Sequence, residues 1–543
     1  MEALHPVADI QLWARWVAAC ACLIWLPGHV LIGRSVGKHD VVTRGVLAVA
    51  AGLLLAGLFA ASRLPATPPV FIAFCLAAAM AGRAALRGTD LGVPTSDLEP
   101  AGRSSALPYA AAMLASGAVV VAGHWNHVVP VPVQDAANHA FLTWRIASTG
   151  STDPGVIFGP PFEAPLRVYP AGWHTAAAML AQVSGVPPFI STWFLPLLML
   201  MLIPVSFSVL WRSWRVVPTR VIWLAALFPA ANVYAPTGIL AWGGFGILVG
   251  FFVVPLVAVS VRALLTSGST ALGVVVGLMF ASLVQIHASE VPVALGLGIV
   301  GGLLANRRLP PSRMARRAIP GIVVFAAAVG PLLLQLTDVL GRQVDPAPAP
   351  HVSLVQGLDR FMRAGGQWGP LQALMVASLG IGLSRRSSRP IAALSVCLGL
   401  LSVTLGTFRD PVSRFLTVPF YQQPTRVLYL QLFVLPPLMA QALVWSRDRL
   451  IASRPHLEHR ALALLLGLAL LPGAAGVVRH LDSLEERALF TDDDARVAHD
   501  LAAAVGEEEW VANAGGDGSY WAMHLSGRRF VRPSSWVIGR VGV

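Results

Sequence analysis

A few short polar stretches in this 543-residue chain carry residue types that do chemistry. In QDAANH, Asp135 and His139 stand four residues apart, so a helix starting here sets both on one face, with Asn138 beside them. A carboxylate held just past an apolar segment can take the proton of a hydroxyl group. Asp-x-x-x-His can also share a divalent cation such as Mg or Mn. The plainer role for Asp135 is to cap a helix beginning near Ala136, and the two roles are compatible. In YPAGWH, Pro170 suits a helix start and brings Trp173 and His174 into the first turn, just behind Tyr169. A histidine there binds a phosphate or metal, or caps the helix and faces water.

QIHASE places Gln285, His287 and Glu290 between two apolar runs with almost no loop. Ionisable groups at such depth are expensive and usually face a cavity or one another; a solvated tight turn is the alternative. Further on, Arg409, Asp410, Arg414, Tyr421, Gln422, Gln423 and Arg426 fall in one loop. Guanidinium groups match phosphate oxygens two at a time, so Arg409 and Arg426 suit a lipid phosphate or diphosphate. An Arg409–Asp410 pair or a headgroup contact is the plainer reading.

The scaffold that must position these residues is membranous. Hydrophobic residues make up 55% of the chain and charged ones 12%, about half the charged share of a soluble protein. Runs of about 18 or more apolar residues recur, each able to cross the hydrocarbon core as a helix. About fourteen spans are expected, at roughly 12–33, 41–61, 69–87, 107–126, 190–211, 221–237, 239–261, 270–286, 290–306, 319–337, 368–384, 390–406, 426–446 and 460–478. The N-terminal run lacks a small-x-small cleavage site and is kept as a membrane segment. Cys20, Cys22, Cys75 and Cys397 all lie in apolar runs with no CxxC spacing, which suits packing.

Arginines set the orientation. Arg34 and Arg44, Arg212 to Arg220, Arg307 to Arg317, Arg385 to Arg389, and Arg447 to Arg460 fall in alternate loops, which should face the cytoplasm. This accounts for the net charge of +12 without nucleic acid, for which no basic, aromatic-interleaved patch exists. The loops 127–189, 287–289, 338–367 and 407–425, and the tail from about 479, are then external. Within the first, Ala136–Thr149 and Ala171–Val183 read as short helices, with Trp144, Tyr169 and Trp173 suited to the membrane interface. The division is N-terminal helices at 1–106, a transmembrane core at 107–478, and a small α/β appendage at 479–543. In the appendage, 492–505 reads as a helix, 509–513 and 529–532 as strands, and Gly515–Ser519 as a turn without nucleotide-loop context. No Walker, GxSxG or HExxH motif is present, so coupling to ATP in this chain is not expected.

An acidic residue in the first large external loop, followed by interfacial helices, resembles the GT-C glycosyltransferase superfamily. QDAANH, YPAGWH, QIHASE and the DGSYWA stretch of the tail look more closely like a group of actinobacterial polytopic membrane proteins, itself similar to the arabinofuranosyl- and mannosyltransferases of cell-wall assembly. The resemblance runs from about residue 107 onward. It implies a GT-C-like fold and a multi-pass protein of the cytoplasmic membrane, with chemistry at the outer face. A polyprenyl-phosphate sugar would be the donor, a cell-envelope glycan or glycolipid the acceptor, and Asp135 the catalytic aspartate. Here the loop follows the fourth expected span rather than the first, and no second acidic pair follows Asp135. His139 would orient the acceptor or share a metal, Arg409 and Arg426 would receive the departing phosphate, and His174, His287 and Glu290 would line the cavity. A transporter or flippase of a lipid-linked precursor and a non-catalytic lipid-binding scaffold are the alternatives. Paired broken helices, the mark of many transporters, are not evident in the sequence.

Overall fold

A chain in hydrocarbon satisfies its backbone only internally, so apolar runs become helices. The computed structural model describes residues 9–36, 39–87, 106–124, 134–163, 169–215, 218–232, 235–266, 268–305, 309–343, 352–364, 369–408, 410–420, 422–454, 456, 460–483, 492–513, 519–532 and 538–539. Among them, eight helices are long and apolar enough to cross a membrane: Ile10–Ile32, Val41–Ser62, Pro68–Ala85, Leu107–His124, Pro188–Trp214, Phe245–Thr266, Arg389–Thr407 and Ala461–Asp482. Four shorter apolar stretches of helix, Ile222–Ala231, Thr270–Ile286, Glu290–Leu304 and Gly369–Ser384, join them. In its described parts the protein is thus a helical membrane protein, apart from two small two-stranded sheets.

Local chemistry sets the helix ends. Asp9 accepts from the backbone N–H groups of Gln11 and Leu12 at 2.9 and 3.0 Å, and Asp40 from that of Thr43 at 2.8 Å. Two stretches depart from the expected spans. Instead of a span at 221–237, the helix Thr219–Ala225 gives way to a 3-10 turn at Phe228–Ala231 and then to the short helix Thr237–Ala241. Pro229 and Pro236 withhold backbone donors, and Gly243 turns the chain at φ 82°, a conformation open to glycine. The stretch 426–446 likewise begins as a separate turn, Pro424–Tyr429, before the helix Gln431–Ser453.

Burial separates centre from rim. The apolar windows of Phe245–Thr266 and Pro188–Trp214 are 94% and 89% buried, those of Ala461–Asp482 and Pro68–Ala85 only 22% and 17%. The first two form the core, and the last two leave apolar faces for lipid. Small residues let neighbouring helices touch. Gly273 and Gly277 lie directly on the backbone carbonyls of Arg317 and Gly321, leaving no room for a Cβ. Across the core, the indole N–H of Trp211 donates to the Phe433 carbonyl at 2.8 Å.

The tail is stitched onto the segment around Phe162 rather than standing apart, because so short a segment cannot bury a core of its own. Its helices are Asp492–Ala504 and Tyr520–Ser526; the second was not expected. Trp510–Val511 pairs in parallel with Arg529–Phe530, and Ile538–Gly539 pairs antiparallel with Phe162–Glu163 of the loop. Trp510 also meets Phe162 with ring centroids 5.9 Å apart.

Candidate functional site

Two short helices between Leu107–His124 and Pro188–Trp214 build the site, Gln134–Thr149 and Gly172–Ser184. The first is described from Gln134, two residues before the expected Ala136. Asp135 therefore sits in its first turn instead of capping it, where the helix dipole favours negative charge. Arg145 of the same helix clamps the loop beyond, donating to the carbonyls of Ile157 at 3.0 Å and Val156 at 2.8 Å. The second helix lies against the core at Gly172. A Cβ there would come 2.8 Å from the Gln285 carbonyl oxygen and 3.0 Å from Gly57 Cα, so only glycine fits.

This close approach corrects the interfacial reading. Trp173 and His174 are fully buried, facing neither lipid headgroups nor water. The rings of Tyr169, Trp173, His174 and Phe245 surround His139, with the Trp173 centroid 5.1 Å away. His139 Nδ1 lies 3.0 Å from His174 Nε2, and His174 Nδ1 lies 3.2 Å from the Pro170 carbonyl oxygen. A carbonyl only accepts, so His174 carries its proton on Nδ1 and accepts at Nε2. His139 must then donate from Nδ1, which leaves the lone pair on its own Nε2. Burial pushes His139 down to about 3, with the nearby His287 adding to it. Burial also holds His174 well below the ordinary histidine range, helped by His139. Both rings are neutral near pH 7.

QIHASE forms a second knot beside the first. His287 Nδ1 pairs with Glu290 Oε2, and Ser289 Oγ lies 2.8 Å from the same nitrogen and donates to the same carboxylate at 3.0 Å. Glu290 is 1% exposed, so the turn is buried rather than solvated. Two glycines of Phe245–Thr266 make room for it. A Cβ on Gly246 would reach 2.9 Å from His287 Cδ2, and one on Gly250 2.8 Å from Glu290 Cγ. Gln285, also buried, ends the preceding helix.

Asp135 joins these knots to a cation. Burial raises its carboxyl above the ordinary carboxylate range; the Arg426 charge, a hydrogen bond with Asn138 and the charge of His287 pull it back. Arg426 is seated over the Trp242 ring, 5.5 Å from its centroid, and its Nε donates to Gln423 at 3.0 Å. The Trp242 indole N–H in turn donates to the Tyr429 hydroxyl at 3.1 Å.

Asp135, Asn138, His139, Tyr169, His174, Gln285, His287, Glu290 and Arg426 thus gather at one end of the bundle from loops far apart in sequence. Gln422 turns elsewhere, accepting from Arg414 at 3.4 Å. Arg409 and Tyr421 lie outside the described residues. Sequence reasoning missed Trp242 and Tyr429, which seat Arg426. Their only signal was an aromatic pair in segments taken for spans. Among the described residues no three His, Cys, Asp or Glu side chains are grouped to hold a metal ion.

No curated protein matches the chain. Residues 21–535 match a family of unknown function, DUF6541, and the chain belongs to that family.

Proposed function

We propose that this protein is a membrane glycosyltransferase. It would move a sugar from a polyprenyl-phosphate donor to a hydroxyl of a cell-envelope acceptor, at the outer face of the cytoplasmic membrane. The observation that carries the reading is that Asp135, a half-buried carboxylate whose Cβ lies against Gly243, stands beside Trp242, the ring over which Arg426 is seated from a distant loop. Asp135 removes the acceptor proton as the hydroxyl oxygen attacks the anomeric carbon. The bond from that carbon to the phosphate oxygen breaks, and the phosphate departs with the electron pair. Arg426, held over the Trp242 ring, takes up its charge. A carboxyl raised above its ordinary value is a better proton acceptor. The neutral pair His139 and His174 shapes the sugar pocket and its hydrogen bonds, and the His287–Ser289–Glu290 knot fixes the floor.

The test uses the full chain in proteoliposomes with radiolabelled polyprenyl-phosphate sugars and envelope acceptors. The wild type is expected to form product, and Asp135→Asn to lose about 10²–10⁴-fold in rate. Undiminished transfer by a well-folded Asp135→Asn protein removes Asp135 from the role. Movement of labelled lipid across the bilayer with no product favours a transporter, and saturable lipid binding with neither favours a scaffold.

A further inference from the structure

The arginines at the other end of the bundle are arranged for more than orientation. A cavity of about 860 Å³ opens where three helices end together: Pro188–Trp214, Phe245–Thr266 and Glu290–Leu304. Arg215, Arg262 and Arg386 line it with Ser213, Ser387 and Trp214, and among the described residues no lining side chain is acidic. Arg215 follows the first helix and Arg386 belongs to the turn before Arg389–Thr407, so two loops expected on the same membrane side meet here. Arg215 is held with φ 55°, a left-handed backbone that a non-glycine side chain rarely takes.

Two observations point to a ligand. The first is charge. Each helix C-terminus carries roughly half a negative charge, so three offset about half of the three guanidinium charges. About +1.5 remains, close to the charge of one phosphate monoester. The second is the Trp214 indole. Trp214 is 3% exposed and its N–H has no hydrogen-bond partner among the described residues, although it lies beside Arg262 and Gly301 at the cavity wall. A buried donor left unmade costs about 1–3 kcal/mol, and an anion accepting from it removes that cost. Basic pockets between membrane helices are well suited to phosphate-bearing headgroups.

We propose that this cavity is a binding site for a phosphate group, gripped by Arg215, Arg262 and Arg386 and hydrogen-bonded by Trp214. It lies roughly 24 Å along Phe245–Thr266 from Gly246, taking 1.5 Å per residue. It is therefore separate from the Asp135 site and does not depend on the function proposed there.

The chemistry belongs equally to an anionic lipid headgroup and to a soluble phosphate compound, and the experiment separates the two. The full chain is purified in detergent and titrated with inorganic phosphate while unfolding is followed by its intrinsic fluorescence. In parallel it is reconstituted in nanodiscs of phosphatidylcholine, with and without phosphatidylglycerol, and lipid retention is read by native mass spectrometry. Saturable stabilisation by phosphate, or retention of one phosphatidylglycerol, supports the site and names the source. The double variant Arg215→Gln/Arg386→Gln is expected to weaken binding at least tenfold. Trp214→Phe, which keeps the ring and removes the N–H, is expected to weaken it severalfold. Arg447→Gln, which removes a guanidinium that does not line the cavity, should leave binding unchanged. Should the glutamine variants fail to fold, Arg215→Lys and Arg386→Lys keep the charge, lose the paired donors and are expected to weaken binding severalfold. No saturable binding of either probe, or binding indifferent to all of these changes, overturns the proposal.

Discussion

The two ends of the helix pair Phe245–Thr266 and Glu290–Leu304 differ in almost every physical respect. At one end Gly246 and Gly250 let His287 and Glu290 sink into the bundle, and neighbouring polar groups are fully buried and mutually bonded. At the other end Arg262 and Leu304 border an open, cationic cavity. The same helices hold both. Packing therefore fixes the geometry of the first end to within tenths of an ångström, which reacting groups need. The second end is set by charge and leaves room, which suits holding a ligand rather than transforming one.

If that difference is real, substitutions at the two ends should separate. The largest effect is expected for Asp135→Asn, with transfer down 10²–10⁴-fold as above. Its stability should move the other way. A carboxyl raised by burial contributes stability below its unfolded value and loses that contribution as pH rises through the folded one. The neutral amide avoids that loss, so Tm measured near pH 7 should stay level or rise. Glu290→Ala comes next. It removes the partner of buried His287 and is expected to lower stability by about 3 kcal/mol and transfer at least tenfold, with Glu290→Gln losing less; thermal unfolding and single-turnover rates check both. Gly250→Ala drives a methyl group against Glu290 and should cost about 1–3 kcal/mol with a smaller loss of rate.

Acidification sharpens the contrast. His139 is pushed down to about 3 from 6.5, and His174 is lowered too. The unfolded chain takes up these protons first, so their contribution is whole above about pH 6.5 and shrinks as pH falls toward 3. Each titrating histidine costs about 1.4 kcal/mol per pH unit in that window. Tm against pH should fall more gently in His139→Gln than in the wild type. The smallest effects are expected at the cationic end: Arg215→Gln/Arg386→Gln should shift stability by under about 1 kcal/mol, as exposed charges do, and leave transfer rates unchanged.

How much of this the sequence carried follows from the same contrast. Asp135, His287 and Glu290 were legible because ionisable groups between apolar runs are costly and stand out. The helices at Ala136–Thr149 and Ala171–Val183 were legible from their spacing. Their depth was not, because the glycine that admits the second helix, Gly172, looks in sequence like any other turn glycine. The helix breaks near Pro229 and at Leu430, within the expected stretches 221–237 and 426–446, were not legible because apolar composition alone does not tell a continuous helix from a broken one. Arg426 was visible as a charge on the unexpected side. Its seat on Trp242 was hidden, since that contact joins segments with no sequence relation. The cationic cavity was hidden differently. Its arginines were explained by membrane orientation, and only their convergence on one space with an unpaired Trp214 sets them apart.

The central claim is that Asp135 and Arg426 work on opposite sides of one glycosyl bond. A cryo-electron-microscopy structure of the protein in nanodiscs with a polyprenyl-phosphate sugar tests it most directly. The account predicts phosphate oxygens within hydrogen-bond distance of the Arg426 guanidinium, and the anomeric carbon turned toward Asp135. A donor whose phosphate sits elsewhere, or whose sugar faces away from Asp135, contradicts it.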